Sequence, residues 1–419
     1  MSLYPIPTLH DDDGLCLESV PLSHIAERFG TPTFVYSRQA LTAAYRAYEQ
    51  ALAGHRATIC YAVKANSNLG ILDAFARLGA GFDIVSGGEL QRVLAAGGDP
   101  TKVVFSGVGK RVDEMRLALD AGIGCFNIES PEELDRLAAT ARSMNRVAPI
   151  AFRVNPDVDP KTHPYISTGL KANKFGVAYA QARDLYRRAA TTDGVRIIGI
   201  ASHIGSQLLD PAPVAEAAER VLTLVDDLKE DGISLEHIDI GGGMGIRYDD
   251  ETPPRADAFL APVLNVLAGR PEALHLEPGR SLVGNAGLLL TRVEFLKHGE
   301  EKHFAIVDAA MNDLARPALY DAYHAVVSVQ PSDAPEAIYD VVGPICESGD
   351  FLARERRLAV RAGDLLAILS AGAYGMTMAS NYNTRPRAAE VMVDGADCIE
   401  IRARERVEDL FAAETRLPS

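Results

Sequence analysis

Between about Thr58 and Arg280 one unit recurs eight times: a short apolar run, a polar or glycine-rich break, and a segment with helical spacing. The apolar runs are Thr58–Val63, Phe82–Val85, Val103–Phe105, Cys125–Ile128, Pro149–Val154, Arg196–Ala201, His237–Ile240 and Ala273–Leu276. They are rich in Val, Ile and Phe and apolar nearly throughout, the pattern of strands covered on both faces. Between them, Ser130-Pro131-Glu132-Glu133 offers a cap, a first-turn proline and a capping-box glutamate, with Leu134, Leu137 and Ala138 following at helical spacing. Val214–Lys229 is a second such helix and stops at Asp231-Gly232. Eight βα units predict a (β/α)8 TIM barrel, with an open doubly wound sheet carrying extra strands as the alternative on pattern alone.

The period changes after Arg280. Leu288–Leu296, Phe304–Val307, Val326–Val329, Ala337–Val342, Leu365–Leu369, Ala388–Val393 and Cys398–Arg402 read as strands separated by turns too short for crossover helices. A chain of 419 residues is too long for one ordinary core. The fold class is therefore α/β plus β: a TIM barrel over 31–284 and a mostly β-sheet, barrel- or sandwich-like domain from 1–30 and 285–419. Leu15 and Leu17, ahead of a short helix, suit either domain.

Charge narrows the chemistry. A formal net charge of −15, with no run of Lys and Arg, argues against nucleic acid and anionic membranes as partners. The five cysteines (Cys16, Cys60, Cys125, Cys346, Cys398) form no CxxC pair and no metal-like spacing, so no metal is expected and reduced thiols are. Met1–Gly14 holds two prolines and three consecutive aspartates, unlike a signal peptide, and no stretch reaches the ~18 apolar residues of a membrane span. These features predict a cytoplasmic enzyme of small molecules.

Barrel enzymes place their working groups at the C-terminal ends of the strands. Those ends carry Lys64; Asp83 and Ser86; Ser106; Asn127 and Glu129; Arg153 and Asn155; His203 and Ser206; Gly241, Gly242 and Gly243; and Glu277 with Arg280. Taken singly, each has a plain structural use. Lys64, as a solvent-facing lysine, would be removable at little cost to folding. Gly241–Gly245 could be a turn that needs positive φ, Glu277 and Arg280 an ion pair, His203 a structural histidine. Together they offer an amine for a carbonyl, a backbone cradle for phosphate, a carboxylate for a ring nitrogen and a flat ring to stack. Those are the groups that pyridoxal phosphate requires.

The motifs Tyr61–Asn66, His203–Gln207, Gly241–Gly245 and Glu277–Arg280 resemble those of the fold-type III pyridoxal-phosphate-dependent decarboxylases, over nearly the whole chain from about Leu22 to Leu410. Thr162–Gly169, Arg316–Tyr320, Gly343–Asp350 and Gly372–Gly375 resemble the branch of that family acting on meso-diaminopimelate. The resemblance implies that Lys64 carries the cofactor as a Schiff base, that His203 stacks on its ring and that Glu277 holds the pyridine nitrogen. Gly241, Gly242, Gly243, Pro278, Gly279 and Arg280 bind the phosphate, with Ser206 and Tyr374. Arg280, Arg316, Tyr320, Glu347 and Tyr374 bind substrate, and Cys346 is the acid.

It also implies a homodimer in which Cys346 and Glu347 complete the partner's site, and decarboxylation at the D centre to give L-lysine and CO2. A relative acting on arginine or ornithine is the alternative, but those substrates carry no distal carboxylate, leaving Arg316 and Tyr320 without a use. A silent regulatory relative would lack Lys64 or Cys346, and both are present.

Overall fold

The computed structural model describes residues 8–11, 14–159 and 174–418, so the stretch Thr162–Gly169 lies outside the described residues. Two compact units result, one built from 44–246 and 252–282, the other from 247–251, 283–419 and the described part of 1–43.

The first unit is a closed parallel barrel. Its strands are Ala57–Ala62, Gly81–Ile84, Val103–Phe105, Cys125–Ile128, Ala148–Asn155, Val195–Ala201, His237–Asp239 and Ala273–Leu276. Each pairs in parallel with the next, and Leu274–Leu276 returns to Ala57–Ile59 to close the ring. No expected strand end moves by more than one residue, and the structure adds Val177–Ala178 beside the fifth strand.

Small side chains fill the interior. Cys60, Val104, Cys125, Ala151 and Ile198 form one buried cluster. The rings of His237 and His275 stack at 4.2 Å, and a Cβ on Gly199 would fall 2.3 Å from the His237 ring, so glycine is needed there. Burial pushes His237 down to about 4 and His275 down to about 3, which keeps both rings neutral. Helices close the outside of the barrel; Phe75, on the helix Leu69–Arg77, packs its ring 4.5 Å from that of Tyr61.

The expected capping box at Ser130 closes only halfway. Ser130 Oγ accepts from Glu133 N at 3.1 Å, but the Glu133 carboxyl accepts instead from Glu129 N at 3.0 Å and from Lys110 Nζ at 2.6 Å. Lys110 is buried and donates also to Gly107 O and Asn127 O, at 2.8 and 2.7 Å. A buried ammonium needs such complete satisfaction. The glutamate is spent on holding two strand-end loops together instead of on its own helix.

The second unit is built around the 12-residue strand Gly287–His298. That strand pairs antiparallel with Thr33–Ser37, Leu365–Ile368 and His303–Val307. Ala389–Asp394 lies parallel to Thr33–Ser37 and antiparallel to Asp397–Arg402. His303–Val307 leads through Glu336–Val342 to Phe351–Ala359. Leu15, Leu17, Leu22 and Ile25 share a core with Val35, Leu288, Leu290, Leu369 and Val391, so the early apolar residues pack in the β unit. Among the described residues no helix is long and apolar enough to cross a membrane.

Candidate active site

At the C-terminal mouth of the barrel the first strand ends in a tight turn, Val63–Ala65, that carries Lys64. The turn packs on Gly279, where an added Cβ would lie 3.0 Å from Ala62 Cβ and 3.1 Å from Ala65 Cβ. Lys64 Nζ is paired with the carboxylate of Asp83 from the second strand. That carboxylate is fully buried, and its other oxygen, Oδ1, has no hydrogen-bond partner.

The glycine loop is shaped by what it touches. Gly241 and Gly243 have φ of +72° and +108°, a region that favours glycine. A Cβ on Gly241 would sit 2.5 Å from His203 Nδ1, and one on Gly242 2.2 Å from Glu277 O. The loop is therefore wedged between the histidine and the Glu277 turn, with Gly241 O accepting from Glu277 N at 2.8 Å. Gly242 N donates to His203 Nδ1 at 3.3 Å, which assigns the proton of the neutral ring to Nε2. His203 is held well below the usual histidine range by burial, then by the charges of Arg153 and Lys64.

Asp239 anchors the loop from below. Its Oδ1 accepts from Gly241 N at 2.7 Å, while Oδ2 is buried with no donor. Its neighbour across the strands is Glu277, and two buried carboxyls so close oppose each other's ionisation. Burial raises both, and the negative fields of Asp239 and Asp83 push Glu277 well above the ordinary carboxyl range. Asn127 Nδ2 approaches Glu277 Oε1 at 3.5 Å. Arg280 donates to Ser206 Oγ from Nε and Nη2, at 3.3 and 3.2 Å, fixing a guanidinium beside the glycine loop.

The structure thus brings Lys64, Asp83, His203, Ser206, Gly241–Gly243, Glu277 and Arg280 to one mouth. The carbonyl of Pro278 is used locally, accepting from Ala62 N at 3.0 Å. Other strand-end residues have structural work. Ser86 caps the helix Gly87–Ala95, Ser106 Oγ accepts from Asn127, and Glu129 accepts from Gly107 N and Gly176 N. Asp239 was not among the expected site residues. The signal was available: a carboxylate two residues ahead of the glycine loop, at the end of its strand.

In the β unit, Arg316 is buried at the start of the short helix Arg316–Tyr320. Its Nη1 lies 2.8 Å from His324 Nε2, whose Nδ1 lies 2.8 Å from Leu369 O. The carbonyl takes the ring's proton at Nδ1, so Nε2 accepts from the arginine. The guanidinium also sits 4.4 Å over the Tyr248 ring. A surface charge would show neither contact. Tyr320 is exposed, as are Cys346 and Glu347 on the loop Gly343–Asp350. The Tyr382 hydroxyl donates to the Glu347 carboxylate. Tyr374 is partly buried with a φ of +57°.

The mouth suits pyridoxal phosphate on its own chemistry. Two neighbouring buried carboxyls beside a third, with Asp83 Oδ1 and Asp239 Oδ2 lacking donors, call for a cationic N–H such as a protonated pyridine. The glycine loop with Arg280 and Ser206 offers donors for a phosphate.

The match to known proteins is extensive. Residues 38–284 fit the pyridoxal binding domain of the pyridoxal-dependent decarboxylases. The diaminopimelate decarboxylase of Pseudomonas aeruginosa is 61% identical over 407 residues, covering 97% of this chain and 98% of that one. This chain belongs to the diaminopimelate decarboxylase family. Among solved structures, the Helicobacter pylori enzyme complexed with L-lysine superposes with a TM-score of 0.91 at 42% identity, covering 94% of this chain and 99% of that one. The diaminopimelate decarboxylase from M. jannaschii, also with L-lysine, gives 0.95 at 37% identity, with 99% of each chain covered.

Proposed function

We propose that this chain decarboxylates meso-2,6-diaminopimelate at its D centre, releasing L-lysine and CO2, with pyridoxal 5'-phosphate held in the barrel mouth. The observation that carries the reading is Glu277, a carboxyl raised by burial and by Asp239 and Asp83, set beside an amine and a glycine cradle.

Bound in the mouth, pyridoxal phosphate supplies an electron sink for the pair released when the α-carboxylate departs. Lys64 is the amine for its aldehyde, oriented by Asp83. Glu277 would hold a proton at the pyridine nitrogen, and His203, kept neutral by burial, would be the ring's stacking partner without adding charge. The phosphate would be held by the Gly243 N–H with Ser206, Gly279 and Arg280, Tyr374 assisting, while Gly241 and Gly242 shape the cradle through their bonds to Asp239 and His203.

Substrate recognition falls to Arg280, Arg316, Tyr320, Tyr374 and Glu347. Two guanidiniums and two phenols suit the carboxylates, and Glu347 suits the ammonium of the L end; gripping the L end is what leaves the D centre to react. Cys346 gives the proton that replaces the lost carboxylate. In this reading the protein is a cytoplasmic homodimer, each site taking Cys346 and Glu347 from the partner subunit.

The test is direct. Purified protein with added cofactor and meso-diaminopimelate should release CO2 and L-lysine in equal amounts, and Lys64→Ala should abolish this. No turnover by the wild type on that substrate, with turnover on ornithine or arginine, would replace the assignment.

A further inference from the structure

The loop that carries Cys346 and Glu347 is held from several sides. Asp350 grips its base, with Oδ1 accepting from Met311 N at 2.7 Å and Oδ2 from Ile345 N at 2.8 Å. Gly343 allows this closeness, since a Cβ there would fall 2.5 Å from both Asp350 Oδ2 and Ala310 Cβ. Within the loop, Glu347 N donates to Ile345 O at 2.8 Å and Asp350 N to Glu347 O at 3.1 Å.

Its tip is held by a distant turn, Tyr382–Thr384. Asn383 Oδ1 accepts from Cys346 N at 3.2 Å, and the Tyr382 hydroxyl donates to the Glu347 carboxylate. Adjacent residues on the turn therefore hold adjacent residues on the loop. The turn is itself fixed. Asn383 and Thr384 have φ of +54° and +57°, and such a conformation at a β-branched threonine persists only where neighbours enforce it. The enforcing contacts are Thr384 N to Asn381 O at 2.8 Å, and Asn381 Nδ2 to Arg385 O and Glu405 Oε2 at 3.0 and 2.7 Å.

We infer that Tyr382 and Asn383 are positioning residues for the reaction: Asn383 sets the backbone at Cys346 and so the direction of its thiol, and Tyr382 orients the Glu347 carboxylate. The inference rests on the reading of Cys346 as the acid and Glu347 as a substrate ligand. In that step the bond from the reacting carbon to its carboxylate breaks and CO2 leaves. A proton from Cys346 completes the new C–H bond, and the thiolate regains a proton from solvent.

Substitutions at the two residues should have different signatures. Asn383→Gly keeps the positive φ but deletes the acceptor, so folding is spared. It should lower kcat about tenfold with KM within about twofold, because a misaimed acid slows chemistry without loosening substrate. Asn383→Asp restores an acceptor oxygen and should return kcat to within about threefold. Tyr382→Phe should raise KM about five- to tenfold with kcat within about twofold, the loss of roughly one hydrogen bond to a charged group.

The decisive readout is made in D2O with the cofactor-loaded enzyme. Wild type should place deuterium on one face of the reacting carbon, Asn383→Gly on both, and Asn383→Asp again on one. If Asn383→Gly keeps wild-type kcat and one-face labelling while Cys346→Ala is inactive, the positioning role of Asn383 is overturned and the reading of Cys346 stands. Turnover with one-face labelling by Cys346→Ala would instead remove the acid role, and the inference with it. An unchanged KM in Tyr382→Phe overturns the part assigned to Tyr382.

Discussion

Removing Lys64 should weaken the folded barrel as well as stop turnover, and the size of the effect follows from its partner. As a solvent-facing lysine it would be lost at almost no cost, but its ammonium is the cation paired with Asp83. The Asp83 side chain is 0% exposed and that of Lys64 40% exposed. Breaking a fully buried ion pair costs about 3–5 kcal/mol, and an exposed pair is worth about 0–1 kcal/mol. A pair with one buried and one half-wet member falls between, so Lys64→Ala should destabilise the cofactor-free protein by about 1–3 kcal/mol. In the variant Asp83 is left as a buried carboxyl without its cation, an uncompensated polar group inside the barrel. The assay is urea denaturation of cofactor-free wild type, Lys64→Ala, Asp83→Asn and the double variant at pH 6 and 8, followed by circular dichroism and by hydrogen exchange in the barrel strands. The double variant should recover about 1–2 kcal/mol relative to the sum of the singles. Strict additivity, with Lys64→Ala within about 0.5 kcal/mol of wild type at pH 8, would refute the reasoning.

Three further outcomes are expected. Arg316→Lys keeps the charge but loses the planar fork that bonds His324 and lies over Tyr248, so kcat/KM on meso-diaminopimelate should fall roughly 10- to 100-fold with an unchanged cofactor spectrum. Mixing inactive Lys64→Ala with inactive Cys346→Ala under subunit exchange should return about a quarter of wild-type activity, since random pairing makes half the dimers mixed and each has one intact site; no recovery in verified heterodimers contradicts a shared site. Acid should loosen the barrel from within. His237 is lowered to about 4 from an unfolded ~6.5, so its contribution of about 3 kcal/mol is fully present above pH ~6.5 and is lost as pH falls toward 4, which His237→Phe should blunt in pH-dependent melting.

The barrel was legible because its strands are buried on both faces and its helices return at a regular interval, so the signal is local and repeated. The β unit lacks that repetition. Thr33–Ser37 was missed although all five of its residues are buried, since its pairing with Gly287–His298 and Ala389–Asp394 depends on contacts hundreds of residues away. Phe351–Ala359 was missed for a different reason. Its exposed face carries Arg354, Glu355 and Arg357, and its register against Glu336–Val342 shifts twice, which hides the period-two alternation of a strand.

The same contrast governs the site. Lys64, His203, Gly241–Gly243, Glu277 and Arg280 were legible because a barrel turns sequence position into spatial position: whatever ends a strand lies at the mouth. Asp239 escaped because the apolar run His237–Ile240 continues one residue beyond it, so the strand's end was placed at the glycines although the strand closes at Asp239 itself. Its function depends on Glu277, which is not its sequence neighbour, and on the burial of both carboxyls. Arg316 escaped as a buried group for a related reason, since a charged residue reads as exposed until His324 and Tyr248 are seen around it. Sequence exposes the residues that would meet a ligand, whereas the groups that set their charge and direction lie behind them and become visible only once the chain has closed. Variants at Asp83, Asp239, Tyr382 and Asn383 are therefore the ones that separate a correct inventory of site residues from a correct account of how the site works.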